Sequence, residues 1–394
     1  MSHRTAAPPA VPRTYRYIDT RSNFPPAPQQ TRYRTPVTET ANLNDGDFPD
    51  AERTPLPPVI ATLTRKGGVG KTTLTALVAS ALASDDDPDR RRKVLVVDLD
   101  SQGNLAPTLG VTDNDEGRGL VNAWANGDPL TPTATSIEGL DVIPGGAVLD
   151  WMERVLAVDR DRYDTALARY EKKRRKTRPD PPFEEVGLRQ ALAGCDTGTD
   201  YDLILLDGPP GTAVTQKAVL LASDGVIVPV GYDPKAWSAF MEMLAYSAAH
   251  RDSPQSHLAD LRAVIAQDVF ADPSRAAAAE ADVRRRAGNE HLGDDPVSVF
   301  ATTWARLDVI STTMSTSDGN PFHTLEQIAE TSRWTRRKNR PDGGHRGREG
   351  RIAATMIRDL ANEVRGFAES LASTASDEVI DLRANSASEE VASA

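Results

Sequence analysis

Cysteine is nearly absent: Cys195 stands alone in 394 residues. One cysteine per chain excludes an intrachain disulfide framework and a cysteine-rich zinc or iron–sulfur site within one subunit. It also fits a reducing compartment. Aromatic residues are scarce at 5%, and apolar residues reach only 39%. Both values fall below the globular average, so part of the chain is expected to lie outside a packed core. No apolar run approaches the roughly 18 residues of a membrane-spanning helix, so no membrane attachment is expected. The N-terminal stretch has arginines but no apolar segment of the secretory kind, and the six histidines show no metal-ligand spacing. The expected location is therefore cytoplasmic. Cations are outnumbered, giving a formal net charge of −11. The whole chain is thus not a basic nucleic-acid binder, and any such surface must be a local patch.

What is present divides the chain. Residues 1–57 are rich in Pro, Arg, Thr and Ala without helical or strand period, and are expected to be a disordered tail. Order is expected over 58–372. Short apolar runs recur there at Val59–Leu63, Lys93–Val97, Leu140–Ile143, Tyr201–Leu206, Gly225–Val230 and Leu261–Ala266. Helical patterns at Thr72–Ala83, Trp151–Tyr170, Phe183–Ala193, Ala213–Ala222 and Ala236–His250 separate most of them. Strands alternating with helices predict an α/β fold, a mainly parallel sheet covered by helices on both faces. A last helix is expected over Ile352–Leu371, and residues 373–394, rich in Ala, Ser and acid, are expected to be disordered. Two basic stretches interrupt the pattern: Lys172–Arg178, inside an expected insertion at 159–182, and 333–351 with Arg333, Arg336, Arg337, Lys338, Arg340, Arg346, Arg348 and Arg351. A charge run of this kind is also what a solvated face looks like.

The chemistry concentrates after the first strand, in Thr64-Arg65-Lys66-Gly67-Gly68-Val69-Gly70-Lys71-Thr72-Thr73. Glycines let the backbone curl so that successive N–H groups face one point, and the following helix adds its positive end. That is a phosphate-binding loop. Lys71 would reach the β- and γ-phosphates of a nucleotide, and the Thr72 hydroxyl would bind Mg²⁺. Arg65 stands where the usual loop starts with glycine, and a further lysine, Lys66, precedes Gly67-Gly68. Two other strands end in acid: Val94–Val97 runs into Asp98-Leu99-Asp100-Ser101-Gln102-Gly103-Asn104, and Leu203–Leu206 into Asp207-Gly208-Pro209-Pro210. Carboxylates at strand ends beside a phosphate loop can position water or hold a metal ion.

The loop resembles the K-G-G-x-G-K-[ST] loop of the ParA/MinD family of deviant Walker A ATPases, and ParA-type partition ATPases above all. Asp98 to Asn104 resembles that family's D-x-D-P-Q-G-N segment, with Ser101 in place of proline, and Tyr201 to Pro210 resembles its Walker B strand. The match is motif-specific over about 58–232; beyond 260 only the order of elements agrees. The resemblance implies a P-loop NTPase of the SIMIBI class that uses ATP and Mg²⁺. It implies that Lys66 reaches the phosphates of a partner subunit in an ATP-bound homodimer, that Asp100 orients the attacking water, and that Asp207 and, in support, Asp98 serve the metal together with Thr72. The segment Phe300–Asn320 takes the place of the family's adenine-side stretch, but matches it too poorly to name contacts.

Neighbouring functions separate on simple features. Cluster-bearing relatives need paired cysteines, and tyrosine kinases of the superfamily need a C-terminal tyrosine cluster, whereas Tyr246 is the last tyrosine here. A MinD-like membrane cycle needs a basic amphipathic C-terminus, and this one is acidic. The resemblance therefore implies a slow, partner-stimulated ATPase whose dimer binds DNA without sequence preference, associates with the nucleoid, and drives plasmid or chromosome partitioning with a ParB-like centromere-binding protein. Arg333, Arg336, Arg337, Lys338, Arg340 and Arg351 lie where the family keeps DNA-contacting residues. A membrane-cycling or a regulatory, tethering ATPase is the alternative.

Overall fold

The computed structural model describes residues 56–126, 128–173, 183–195, 201–210, 214–251, 256–258, 260–267, 273–292, 295–305, 307–316, 319–335 and 343–392. The first half runs β1 (Val59–Thr62), α1 (Lys71–Ala83), β2 (Val94–Asp98), α2 (Leu105–Thr108), α3 (Arg118–Asn126), β3 (Thr133–Ala134), β4 (Leu140–Ile143), α4 (Leu149–Lys173) and α5 (Phe183–Ala193). It continues through β5 (Leu203–Asp207), α6 (Val214–Ala222), β6 (Gly225–Gly231), α7 (Pro234–Arg251), β7 (Asp260–Gln267) and α8 (Pro273–Ala287). Four two-residue strands follow, β8 (His291–Leu292), β9 (Asp295–Pro296), β10 (Ser298–Val299) and β11 (Trp304–Ala305). The chain then enters α9 (Asp308–Thr316), α10 (Pro321–Thr335) and α11 (Gly343–Ala392).

The main sheet has the order β10-β7-β6-β1-β5-β2-β4-β3, with β11 also on β7. Every pairing in it is parallel except β3 with β4. The expected α/β architecture is thus present. Its central strands are buried on both faces, which is why they read as unbroken apolar runs rather than alternating ones. The period of two is still visible in what each side chain touches. Val59 and Ala61 of β1 and Leu95 and Val97 of β2 face the layer formed by α3–α7. Ile60, Val94 and Val96 face α1, α10 and α11.

Helix α11 closes the second layer. Ile357, Leu360, Val364 and Phe367 follow helical spacing and are buried. Each such side chain contributes about 1.5–3 kcal/mol on burial, so packing rather than intrinsic propensity holds this helix. Gly225 lets it approach the sheet: a Cβ there would lie 2.5 Å from the Phe367 ring.

Three boundaries differ from expectation. Leu56 already packs against the core, two residues ahead of the expected start of order; residues 1–55 lie outside the described residues. Helix α4 runs on through 159–173, the first part of the segment expected to be an insertion, while 174–182 lie outside the described residues. The acidic stretch after 372, expected to be disordered, continues α11 to Ala392. Ala and Glu are good helix formers, but Leu371 is the last buried side chain among the described residues, which is where sequence periodicity stops announcing the helix.

Candidate nucleotide site

The site is built at the C-terminal edge of three adjacent strands. In register, Thr62 of β1 pairs with Asp207 of β5, and Asp207 pairs with Asp98 of β2. Parallel pairing therefore delivers the end of β1, where the glycine loop starts, next to two aspartates that are far apart in sequence. The loop turns on Gly68 (φ 73°) and Gly70 (φ 85°), left-handed conformations that glycine adopts without steric cost. Gly70 then ends the loop as the N-cap of α1, with no side chain capping the helix. The N–H groups of the first turn are therefore left for a ligand, the arrangement that suits an anion.

Lys71, the first residue of α1, is buried. Burial pulls its ammonium below the usual lysine range, opposed by the charges of Asp207 and Asp100. The three groups thus share one small volume, as the sequence motifs predict.

Asp207 is fully buried and neither carboxylate oxygen has a hydrogen-bond partner. Burial first, and then the negative charge of Asp98, push its carboxyl up to about 8. The Thr72 hydroxyl and Lys71 pull in the other direction, although Thr72 closes no hydrogen bond of ordinary geometry. An orphaned buried carboxylate costs free energy unless a cation joins it. Beside the Thr72 hydroxyl, this donor set fits a hard divalent cation completed by water and phosphate oxygens, as Mg²⁺ prefers. Among the described residues no group of three His, Cys, Asp or Glu could hold a metal by itself, so the protein supplies only part of such a shell.

Asp98 does different work. It is fully buried, and its oxygens accept the backbone N–H groups of Asp100 (3.0 Å) and Leu105 (3.0 Å). Burial pushes its carboxyl up to about 6, opposed by these two hydrogen bonds. Asp98 thus fastens both ends of residues 100–105. Asp100 itself is half-buried, and its Oδ1 accepts the Gln102 N–H at 3.0 Å. Gly145 packs under this segment, where a Cβ would lie 2.6 Å from the Asp98 carbonyl oxygen.

Lys66 stands apart from this cluster. Its Nζ lies 2.8 Å from Asp233 Oδ2, at the entrance to α7, and neighbouring Arg65 pairs with Glu242 on the same helix at 3.3 Å. Of the basic residues expected to touch DNA, Arg336, Arg337, Lys338 and Arg340 lie outside the described residues, as does the side chain of Arg333; Arg351 sits half-buried near the start of α11.

Sequence reasoning missed several contributors. Gln216 is buried on α6 and its Nε2 donates to the carbonyls of Thr64 (3.3 Å) and Pro209 (3.0 Å), tying the glycine loop to the turn after Asp207. Trp304 lies against the loop, its indole nitrogen 3.2 Å from where a Gly70 Cβ would stand. Its segment is held by α11: Glu363 accepts the N–H groups of Ala301 (2.6 Å) and Thr302 (2.7 Å). These are single polar or aromatic residues without local pattern, so only the tertiary fold shows their partners. Trp304 itself is buried.

A glycine loop entering a helix, with two in-register strand-end aspartates beside it, defines a P-loop nucleotide-binding core. The AAA domain family model matches residues 58–259, just over half of the chain. The chain belongs to this family, in its ParA/MinD-like branch. It is 31% identical over 174 residues to the chromosome partitioning protein ParA of Caulobacter vibrioides, covering 44% of this chain and 55% of that one. It is 32% identical over 186 residues to the chromosome-partitioning ATPase Soj of Thermus thermophilus, covering 47% and 59%. The matched stretch thus spans little more than half the length of these relatives. The structure of apo McdA from Cyanthece has the same fold, with a TM-score of 0.50 at 15% identity over 68% of this chain and 98% of that one. Among the described residues no helix is long and apolar enough to cross a membrane.

Proposed function

We propose that this chain is a slow Mg²⁺-dependent ATPase that works as a dimerising switch in plasmid or chromosome partitioning. The observation that carries the reading is the buried, unpartnered carboxylate of Asp207 beside Thr72 and Lys71, at the mouth of a loop whose N–H groups await an anion. ATP would be held by Lys71, Thr72, Thr73 and the backbone of Gly67, Gly68, Val69 and Gly70. Mg²⁺, held by Thr72 and by Asp207 through water, would supply charge neutralisation at the phosphates. Asp100 accepts a hydrogen bond from, and so aligns, the attacking water. Asp98 keeps the segment carrying Asp100 in place.

Lys66 completes the site of a second copy in a face-to-face homodimer, placing positive charge where charge develops on the transferred group. The dimer binds DNA phosphates through the basic segment 333–351, and a ParB-like centromere-binding protein stimulates hydrolysis and releases it. The kinship with ParA and Soj relatives supports this direction.

The test is Asp100→Ala. It removes only water positioning, so the variant should bind ATP, accumulate as a dimer in light scattering, and hydrolyse at least about a hundredfold more slowly, the usual scale of a lost general-base contribution. Turnover equal to wild type would refute the assignment.

A further inference from the structure

Lys66 and Asp233 are 167 residues apart in sequence, yet their side chains meet at 2.8 Å. The partner oxygen of Asp233 is also in use: Oδ1 accepts the Ala236 N–H at 2.9 Å and so caps α7. Asp233 is thereby fixed in one orientation by the helix it starts, and offers its second oxygen to the lysine. Its carboxyl is held below the usual range, first by the hydrogen bond from Lys66. The adjacent loop residue behaves alike, Arg65 pairing with Glu242 two helical turns further along α7. Both cations that precede the glycines are thus directed onto one helix face. Lys71, in contrast, is directed inward toward Asp207 and Asp100.

We propose that Asp233 is a positioning residue that parks Lys66 on α7 in the free subunit, so that dimer formation must first break this ion pair. The proposal rests on the reading that Lys66 serves a second copy's phosphates. One ammonium group cannot sit on the Asp233 carboxylate and on a partner's phosphate oxygens at once, so the two contacts compete. Both side chains are about two-fifths exposed, so the contact is weak enough to break and strong enough to bias: an ion pair in such a setting shifts an equilibrium by about two- to fivefold. Because two subunits each release one lysine in a symmetric dimer, the effect on dimerisation compounds. The parked lysine also leaves the free subunit without its extra cation near any phosphate, which keeps an isolated, ATP-loaded subunit slow.

Asp233→Asn tests this in the full-length chain. Asparagine is as good an N-cap as aspartate, so α7 and the thermal midpoint of the free protein should be kept while the charge partner is lost. With ATP and Mg²⁺, in an Asp100→Ala background that blocks turnover, the protein concentration for half-dimerisation should fall about four- to twenty-fivefold, the square of the single-pair effect. The difference from Asp233 should shrink as salt rises. Asp233→Ala, which loses the cap too, separates helix stability from parking: it should lower the midpoint yet still favour the dimer. With Lys66→Ala already present, Asp233→Asn should change nothing further. If Asp233→Asn leaves dimerisation unchanged, or weakens it as Lys66→Ala does, the parking role is wrong while the reading of Lys66 stands. If Lys66→Ala itself dimerises and hydrolyses like wild type, that reading fails, and parking with it.

Discussion

Replacing Asp207 by asparagine should make the metal-free protein more stable while weakening its response to Mg²⁺ and ATP. The carboxylate is fully buried, has no hydrogen-bond partner, and faces Asp98 across the β2–β5 pairing. Its carboxyl rises from 3.8 to about 8. A group whose folded value lies above its unfolded one takes up a proton on folding between the two. Stability therefore falls as pH rises from about 4 to about 8, and stays low above that. Four units correspond to at most about 6 kcal/mol. Sharing of charge with Asp98 and Lys71 reduces what one substitution recovers to about 2–3 kcal/mol, or roughly 3–5 °C in a domain of this size. Thermal unfolding of the metal-free chain followed by circular dichroism from pH 5 to pH 8.5 reads this directly: the wild-type midpoint should fall across the range and that of Asp207→Asn should fall less. Adding ATP with Mg²⁺ should raise the wild-type midpoint by ligand linkage and raise the variant's far less. A variant less stable than wild type at pH 8, or one with the same pH slope, would show that Asp207 is not a charge stored for a cation.

Two further outcomes follow from the packing and from the basic segment. Gly145→Ala should push the Asp98–Asp100 backbone aside, because its Cβ would come within 2.8 Å of both carbonyl oxygens; hydrolysis should drop more than ATP affinity, with a stability loss of about 1–3 kcal/mol by calorimetry, and a variant with wild-type turnover would show that the segment carrying Asp100 tolerates displacement. Reversing Arg336, Arg337 and Lys338 to glutamate should abolish DNA binding by the ATP-bound protein with basal hydrolysis kept, each lost phosphate contact lowering the log–log salt slope by about 0.9; if only the same reversal at Lys172–Lys173–Arg174 removes binding, the DNA surface lies on the α4 side.

How much of this was legible in the sequence depends on whether a residue's partner is local. The strands could be read because burial on both faces turns them into short apolar runs, and the glycine loop because its conformation demands glycine at Gly68 and Gly70. Asp98 and Asp207 were visible as acids ending such runs, but not their division of labour. Both are buried aspartates at strand ends, yet one accepts two backbone N–H groups and the other has no hydrogen-bond partner. That difference arises from the path of residues 100–105 after β2, which turns back over Asp98, while the chain after β5 leaves Asp207 bare. Lys66 was legible as an extra cation, but its ion pair with Asp233 depends on β1 and β6 being neighbours in the sheet, a long-range pairing with no local sign. The same pairing also separates the two lysines of the loop, as the proposed switch would need. Lys71 is fixed from within by burial among its own subunit's carboxylates, whereas Lys66, one helix entrance away, is held only by a half-exposed contact. A loop that binds its anion through a fixed lysine and keeps a second one on a weak restraint has one cation for binding and one free to answer a second subunit. That separation is what the proposed nucleotide-dependent dimer would use.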